Sequence, residues 1–120
     1  QNSYPNIPGW AMIGGWALWT KSLLTDLDTS RVKIVSVDAL PSELAYVETG
    51  LAPVLFAQPT YLWGYVSVKT IFDHVYLHKD VPAHVQMDLV RVDKSTLGSW
   101  ARQLKAWGFT DVDPKYLAMP

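Results

Sequence analysis

Residues 32–58 carry the pattern that most restricts how this chain can fold. Two short apolar runs, 32–37 and 53–57, have the composition of strands that are buried on both faces. Between them, Pro41 fits the first turn of a helix and Gly50 fits the residue that ends it. The pattern therefore predicts a strand, a helix and a second strand that runs parallel to the first.

A polar side chain follows each of these two strands. Asp38 comes directly after the first apolar run and Gln58 directly after the second. In open parallel α/β sheets, ligands bind beyond the carboxyl ends of the strands. We therefore expect Asp38 and Gln58 to lie at the edge of the sheet where a ligand would bind.

A similar unit precedes this one in the chain. Residues 10–13 are apolar and lead into Gly14 and Gly15, and helical spacing then extends over 16–28 through Leu18, Ser22 and Leu23. Three strands that alternate with helices indicate right-handed crossover connections. The predicted fold class is α/β, with a parallel sheet flanked by helices.

The remainder of the chain predicts two more helices and one more strand. A long helix with Thr60 at its N-cap is expected from residue 60 to residue 78. Residues 84–93 alternate apolar and polar positions, as a half-covered strand does, and fit either an edge strand or a crossover between lobes. A short helix starts near Ser95, and the tail after Phe109 is expected to be loosely ordered.

Composition and charge exclude several classes of function. The 120 residues are 49% apolar, which is enough for a real core, and they include no cysteine, which excludes disulfides and thiolate metal sites. The net charge is −1 and the ten lysines and arginines are scattered, so no nucleic-acid partner is expected. His74 and His78 stand four residues apart on a predicted helix, but no third ligand has suitable spacing. No catalytic motif is present, so the sequence predicts neither an enzyme nor a cofactor nor a metal site.

Four features in register resemble a known family. Asp38 ends a strand, Gly50 ends a helix, Ala57 and Gln58 end the next strand, and Gly64 comes early in the following helix. With this order and spacing, residues 5–94 resemble the later part of type I periplasmic sugar-binding proteins, the ribose-binding-like family of ABC importers. The resemblance implies two α/β lobes around a sugar cleft, joined by three crossover strands.

The resemblance also divides the chain into segments. Residues 1–58 would be the last βα units of the C-terminal lobe, and 59–85 would be a helix and crossover that belong to the N-terminal lobe. Residues 86–120 would hold a hinge strand and the C-terminal helix and tail. A parallel sheet of three short strands is small. We therefore expect the chain to be a C-terminal part that the N-terminal portion of the same protein completes.

The resemblance implies a ligand role for particular residues. The family's acidic sugar ligand falls on Asp38 and its hinge-side amide falls on Gln58. Gly14 stands where the family usually has an asparagine that binds a sugar hydroxyl, and Trp16 could supply an aromatic plane instead. Alternatives remain open at this stage, because Asp38 could cap the next helix, Gln58 could satisfy backbone groups and Trp16 could be a core residue.

The function that the resemblance implies is binding of a sugar or related polyol and its delivery to an ABC permease at the membrane. The protein would be exported to the periplasm or the cell exterior, and its parent form could carry a lipid anchor. The alternative is the effector domain of a lac-repressor-like transcription regulator, which shares this fold and would need a DNA-binding segment outside this chain. An enzyme on a Rossmann-like sheet is disfavoured, because no glycine-rich dinucleotide motif follows any strand.

Overall fold

The computed structural model describes residues 3–20, 23–24 and 26–120. In chain order the elements are β1 Gly9–Met12, α1 Trp16–Trp19, β2 Lys33–Val37, a 3-10 turn Pro41–Glu43, α2 Leu44–Thr49, β3 Val54–Ala57, α3 Thr60–Val75, β4 Val90–Val92, α4 Leu97–Ala106 and α5 Pro114–Leu117. Among these residues, no helix combines the length and the apolar character that crossing a bilayer requires.

The strands form one sheet in the order β1-β2-β3-β4. The first three strands are parallel, with Ile34 paired to Trp10 and Ser36 paired to Leu55, while β4 runs antiparallel to β3. The carboxyl ends of the three parallel strands therefore meet at one edge of the sheet. This arrangement confirms the predicted α/β class with a parallel sheet flanked by helices.

One face of the sheet carries the core. Ile34, Leu55 and Val92 are fully buried on that face, against apolar residues of the helices that include Leu44 and Leu104. On the opposite face, Val35 and Phe56 keep 38% and 37% of their surface exposed. The prediction that these strands are buried on both faces is therefore wrong for this chain, because the helices packed here cover one face.

The helix between β2 and β3 forms where the sequence predicts it. Pro41 starts a 3-10 turn that continues into α2, and Gly50 ends the helix with a φ of 79° in the left-handed region. The Gly50 N–H donates to the carbonyl oxygens of Tyr46 and Val47, which closes the last turn. The side chain of Lys33 connects the start of β2 to the end of α2, because its Nζ donates to the Gly50 carbonyl at 3.0 Å.

The helix α3 differs from the prediction at both ends. Pro59 occupies the N-cap position and Thr60 is the first helical residue, so the predicted cap at Thr60 is wrong. The helix ends at Val75, and His78 lies beyond it with a φ of 50°. His74 and His78 are therefore not neighbours on one helix, and the described residues include no group of three or more potential metal ligands.

Three further segments differ from the sequence-based expectations. The helix expected over 16–28 is helical at Trp16–Trp19, and Ser22 falls outside the described residues. The strand expected over 84–93 is limited to Val90–Val92, which lies at the edge of the sheet. The tail after Phe109 is packed rather than loose, because Val112 and Tyr116 are buried in the core.

Candidate functional site

The candidate site lies at the carboxyl edge of β2 and β3. Asp38 directly follows β2, Gln58 directly follows β3, and both side chains are half-buried. They line one cavity of about 30 Å³, together with residues of α4 such as Trp100 and Leu104. The structure therefore brings the two predicted ligand residues together, in a space that has the volume of about one water molecule.

Asp38 is held in a strained conformation by two hydrogen bonds. Its φ is 75°, which few residues other than glycine adopt, although aspartate tolerates this region better than most. The Asp38 N–H donates to the Phe56 carbonyl at 3.0 Å, and its Oδ2 accepts from the Gly15 N–H at 3.1 Å. Asp38 thus accepts from the start of α1, and it is not the cap of the 3-10 turn that follows it, because Leu40 occupies the N-cap position of that turn.

The two glycines between β1 and α1 permit a close approach to this carboxylate. Gly14 and Gly15 are both buried, and Ser36 Oγ donates to the Gly14 carbonyl at 3.3 Å. A Cβ on Gly14 would lie 2.8 Å from the ring of Trp16, which shows that the indole folds back over the Gly14 backbone. A side chain at position 14 would therefore require the Trp16 indole to move.

Trp16 is open to solvent rather than part of the core. Its side chain is 68% exposed, whereas Leu18 on the same short helix is fully buried. By contrast, Trp100 of α4 is buried in the core. Its Nε1 donates to the Ala39 carbonyl at 2.8 Å, directly next to Asp38, and its ring meets Trp107 edge to face at 5.4 Å.

The sequence-based reasoning missed Glu43, which lies behind the site. Glu43 is fully buried in the 3-10 turn, where its Oε2 accepts from the Leu40 N–H at 2.6 Å. Its Oε1 is buried and has no hydrogen-bond partner in the part of the chain that the structure describes. In a known capping pattern, a glutamate at the third helical position accepts from the backbone N–H of the N-cap residue. Glu43 and Leu40 have this spacing, so the sequence did carry a signal for their contact.

Burial raises the pKa of Glu43 from 4.5 to about 7. The hydrogen bond from the Leu40 N–H opposes this shift, the nearby charge of Asp38 adds to it, and the Trp19 indole N–H opposes it to a smaller extent. This carboxyl group and that of Asp38 both lie near the position that a Cβ on Gly15 would occupy.

Comparisons with known proteins agree with this architecture. No model of a known protein family matches the chain, and no curated protein matches it either. The chain superposes on the glucose-galactose binding protein GanP from Geobacillus stearothermophilus with a TM-score of 0.64 and 19% identity, covering 77% of this chain and 33% of GanP. It also superposes on a chain of the XylFII-LytSN complex with a TM-score of 0.62 and 25% identity, covering 78% of this chain and 33% of that one.

The fold is therefore that of one part of a two-lobed periplasmic binding protein. More particularly, the chain resembles type I periplasmic sugar-binding proteins, as the spacing of Asp38, Gly50, Gln58 and Gly64 indicated. It spans about a third of the length of the solved proteins that it matches.

Proposed function

We propose that this chain is the C-terminal portion of a solute-binding protein that holds a sugar or related polyol in a cleft between two lobes. The observation that carries the proposal is that Asp38 and Gln58 line one cavity at the carboxyl edge of the sheet. GanP, which shares this fold, is a glucose-galactose binding protein. The protein would act outside the cytoplasm, in the periplasm or at the cell surface, and would deliver its ligand to an ABC permease.

The chemistry of the edge suits a polyol. The Asp38 carboxylate has acceptor capacity beyond its bond from Gly15, and the Gln58 amide can donate and accept at once, so both can pair with sugar hydroxyls. The exposed indole of Trp16 offers an apolar plane of the kind that packs against the C–H face of a sugar. Asp38, Gln58 and Trp16 would thus form one wall of the cleft, with the Gly14 backbone beneath the indole.

The second wall is proposed to come from the N-terminal portion of the same protein. The helix α3 has no buried residue, and it exposes a row of large apolar side chains that includes Leu62, Tyr65, Val68, Ile71 and Phe72. Soluble proteins seldom leave so large an apolar surface uncovered. In this proposal, 1–58 belongs to the C-terminal lobe, 59–85 joins the N-terminal lobe, and 86–120 contains a hinge strand with the C-terminal helix and tail.

Calorimetry on the natural protein tests the proposed site. D-ribose, D-xylose, D-glucose and D-galactose are titrated into the native protein and into the variants Asp38→Ala and Asp111→Ala. Asp38→Ala should weaken binding of the preferred sugar by about 2 kcal/mol, because sugar hydroxyls would lose a charged acceptor. Asp111 is exposed and does not line the cavity, so its replacement should leave affinity unchanged. Unchanged affinity in Asp38→Ala would refute the assignment of the site.

A further inference from the structure

Three polar side-chain atoms, from three different parts of the fold, surround the position that a Cβ of Gly15 would occupy. A Cβ at that position would collide with Oε1 of Glu43, and it would lie 2.8 Å from Nε1 of Trp19 and 3.1 Å from Oδ2 of Asp38. Glu43 comes from the 3-10 turn, Trp19 from the end of α1, and Asp38 from the end of β2. The absence of a side chain on Gly15 is therefore what allows the carboxyl of Glu43 to approach the predicted ligand carboxylate.

The hydrogen bonds of Glu43 define where its proton would reside. Oε2 already accepts from the Leu40 N–H. Oε1 lies near the Trp19 indole N–H on the side of Gly15 and Asp38, and it is buried without a hydrogen-bond partner among the described residues. A proton on Oε1 gives Glu43 one donor, and a neighbouring carboxylate is the kind of acceptor that such a donor seeks. The ionised form would instead place a second negative charge in a buried space beside Asp38, which is costly.

We propose that Glu43 is a positioning residue that acts, in its neutral acid form, as the partner of Asp38 and makes ligand binding depend on pH near neutrality. The ligand part of this inference rests on the proposed function, whereas the coupling between the two carboxyl groups does not. Among residues 3–20, 23–24 and 26–120, the groups that face Glu43 are the Asp38 carboxylate, the Leu40 N–H and the Trp19 indole N–H, and Asp38 is the charged group of this set.

The direction of the pH dependence follows from linkage. Closure of a cleft over Asp38 would remove water from its surroundings, which would disfavour ionised Glu43 further and raise its pKa. Ligand binding would then be accompanied by proton uptake, and affinity would fall as the pH rises through about 7, the pKa of Glu43 in the open state.

The first test needs no ligand. Carbon-detected NMR follows the side-chain carboxyl signals of Asp38 and Glu43 in the natural protein between pH 4 and pH 9. Glu43 should titrate near neutral pH, and the Asp38 signal should show an inflection at the same pH. In Glu43→Gln that inflection should disappear, and in Asp38→Asn the Glu43 midpoint should move to lower pH. A Glu43 that titrates with the ordinary glutamates, or an Asp38 signal unaffected by Glu43→Gln, would overturn the proposal.

The second test measures proton uptake on binding. Titrations with the sugar that binds best among the four of the panel, at pH 7 in two buffers of different ionisation enthalpy, give the number of protons taken up. The dissociation constant should rise by roughly three- to tenfold from pH 6 to pH 8, and Glu43→Gln should bind with the same affinity at both pH values. The matched control Glu48→Gln, on α2, should keep the pH dependence, because a bond from Lys115 lowers the pKa of Glu48.

The outcomes separate this inference from the proposed function. Sugar binding at Asp38 without proton uptake would overturn the role of Glu43 in binding and leave the proposed function standing. Coupled titration of the two carboxyl groups without binding of any sugar in the panel would support the coupling and contradict the proposed function.

Discussion

The carboxylate of Asp38, the predicted sugar ligand, is held in place before any sugar binds. A residue with positive φ other than glycine costs on the order of 1–3 kcal/mol and persists when its surroundings hold it there. Two hydrogen bonds stabilise this conformation of Asp38. Its N–H donates to the Phe56 carbonyl, and its carboxylate accepts from the Gly15 N–H. A ligand that binds such a carboxylate has less side-chain freedom to remove, which favours affinity.

Glu43 should make the stability of the fold decrease as the pH rises toward neutrality. Its pKa is about 7 in the folded chain against 4.5 in the reference state, so between these values the folded chain binds more protons than the unfolded one. The stabilising contribution is full below about pH 4.5 and is lost as the pH rises through about 7. Urea unfolding between pH 5 and pH 8 should show a loss of up to about 3 kcal/mol in the free energy of unfolding.

Glu43→Gln keeps the shape of the neutral acid and cannot ionise, so this loss should vanish in the variant. A wild-type chain that unfolds with the same free energy at both pH values would show that the Glu43 carboxyl is better solvated than its burial implies.

Gly15 is expected to tolerate no side chain, for a purely steric reason. Its φ of −76° is ordinary, but an added methyl group would overlap Oε1 of Glu43 and crowd Trp19. Gly15→Ala should therefore lower the free energy of unfolding of the 120-residue chain by about 2 kcal/mol. Gly64→Ala is the matched control, since no atom lies within 4 Å of its would-be Cβ, and inside a helix it should stabilise the chain by about 0.5–1 kcal/mol. Equal effects of the two changes would contradict this packing.

At the scale of elements, the sequence predicts well where local signals agree. Pro41, Gly50 and the two apolar runs mark both ends of every element in 32–58, and the structure follows them. Where an apolar pattern lacks such end signals, the predicted element is longer than the observed one, as over 16–28 and 84–93. The proximity of Asp38 and Gln58 was predictable, because parallel strands end at one edge.

What the sequence could not give were contacts between distant segments. The bond from Gly15 to Asp38 joins residues 23 positions apart, and the bond from Trp100 to Ala39 joins residues 61 apart. The C-terminal tail also makes a contact between distant segments. Tyr116 donates from its hydroxyl to Oε2 of Glu48 at 2.9 Å, which holds α5 to α2 across 68 positions of sequence.

Tyr116 should therefore be a main anchor of the C-terminal segment. It is 2% exposed, so Tyr116→Ala should cost about 3 kcal/mol of unfolding free energy through the cavity that it leaves. Tyr116→Phe retains the ring and loses the bond to Glu48, and its effect should be clearly smaller. Thermal unfolding of the two variants measures the difference, and a Tyr116→Ala chain as stable as the native one would mean that the tail contributes little.

At the scale of the whole molecule, the chain is more extended than a domain of its length. Its radius of gyration is 17.6 Å, with extents of 57 × 35 × 22 Å, whereas a compact domain of 120 residues has a radius of about 14 Å. The exposed face of α3 agrees with this shape, since none of the helix is buried. Such a helix gains little stability from tertiary packing within the chain.

The backbone amides of α3 should accordingly exchange quickly in the isolated 120 residues and slowly in the natural protein. The reason is that the proposed N-terminal portion would cover the apolar face of the helix there. Hydrogen exchange followed by mass spectrometry compares the two, with the buried helix α4 as an internal reference. Equal protection of α3 and α4 in the isolated chain would contradict the need for a covering lobe.

A crystal structure of the natural protein with its preferred sugar would show whether Asp38 and Gln58 bind the sugar between two lobes. Sugar hydroxyls should lie within 3.2 Å of the Asp38 carboxylate and the Gln58 amide. The Trp16 indole should lie against the sugar, and α3 should be packed within the N-terminal lobe. A sugar bound elsewhere, with Asp38 and Gln58 free of ligand contact, would contradict the proposed site.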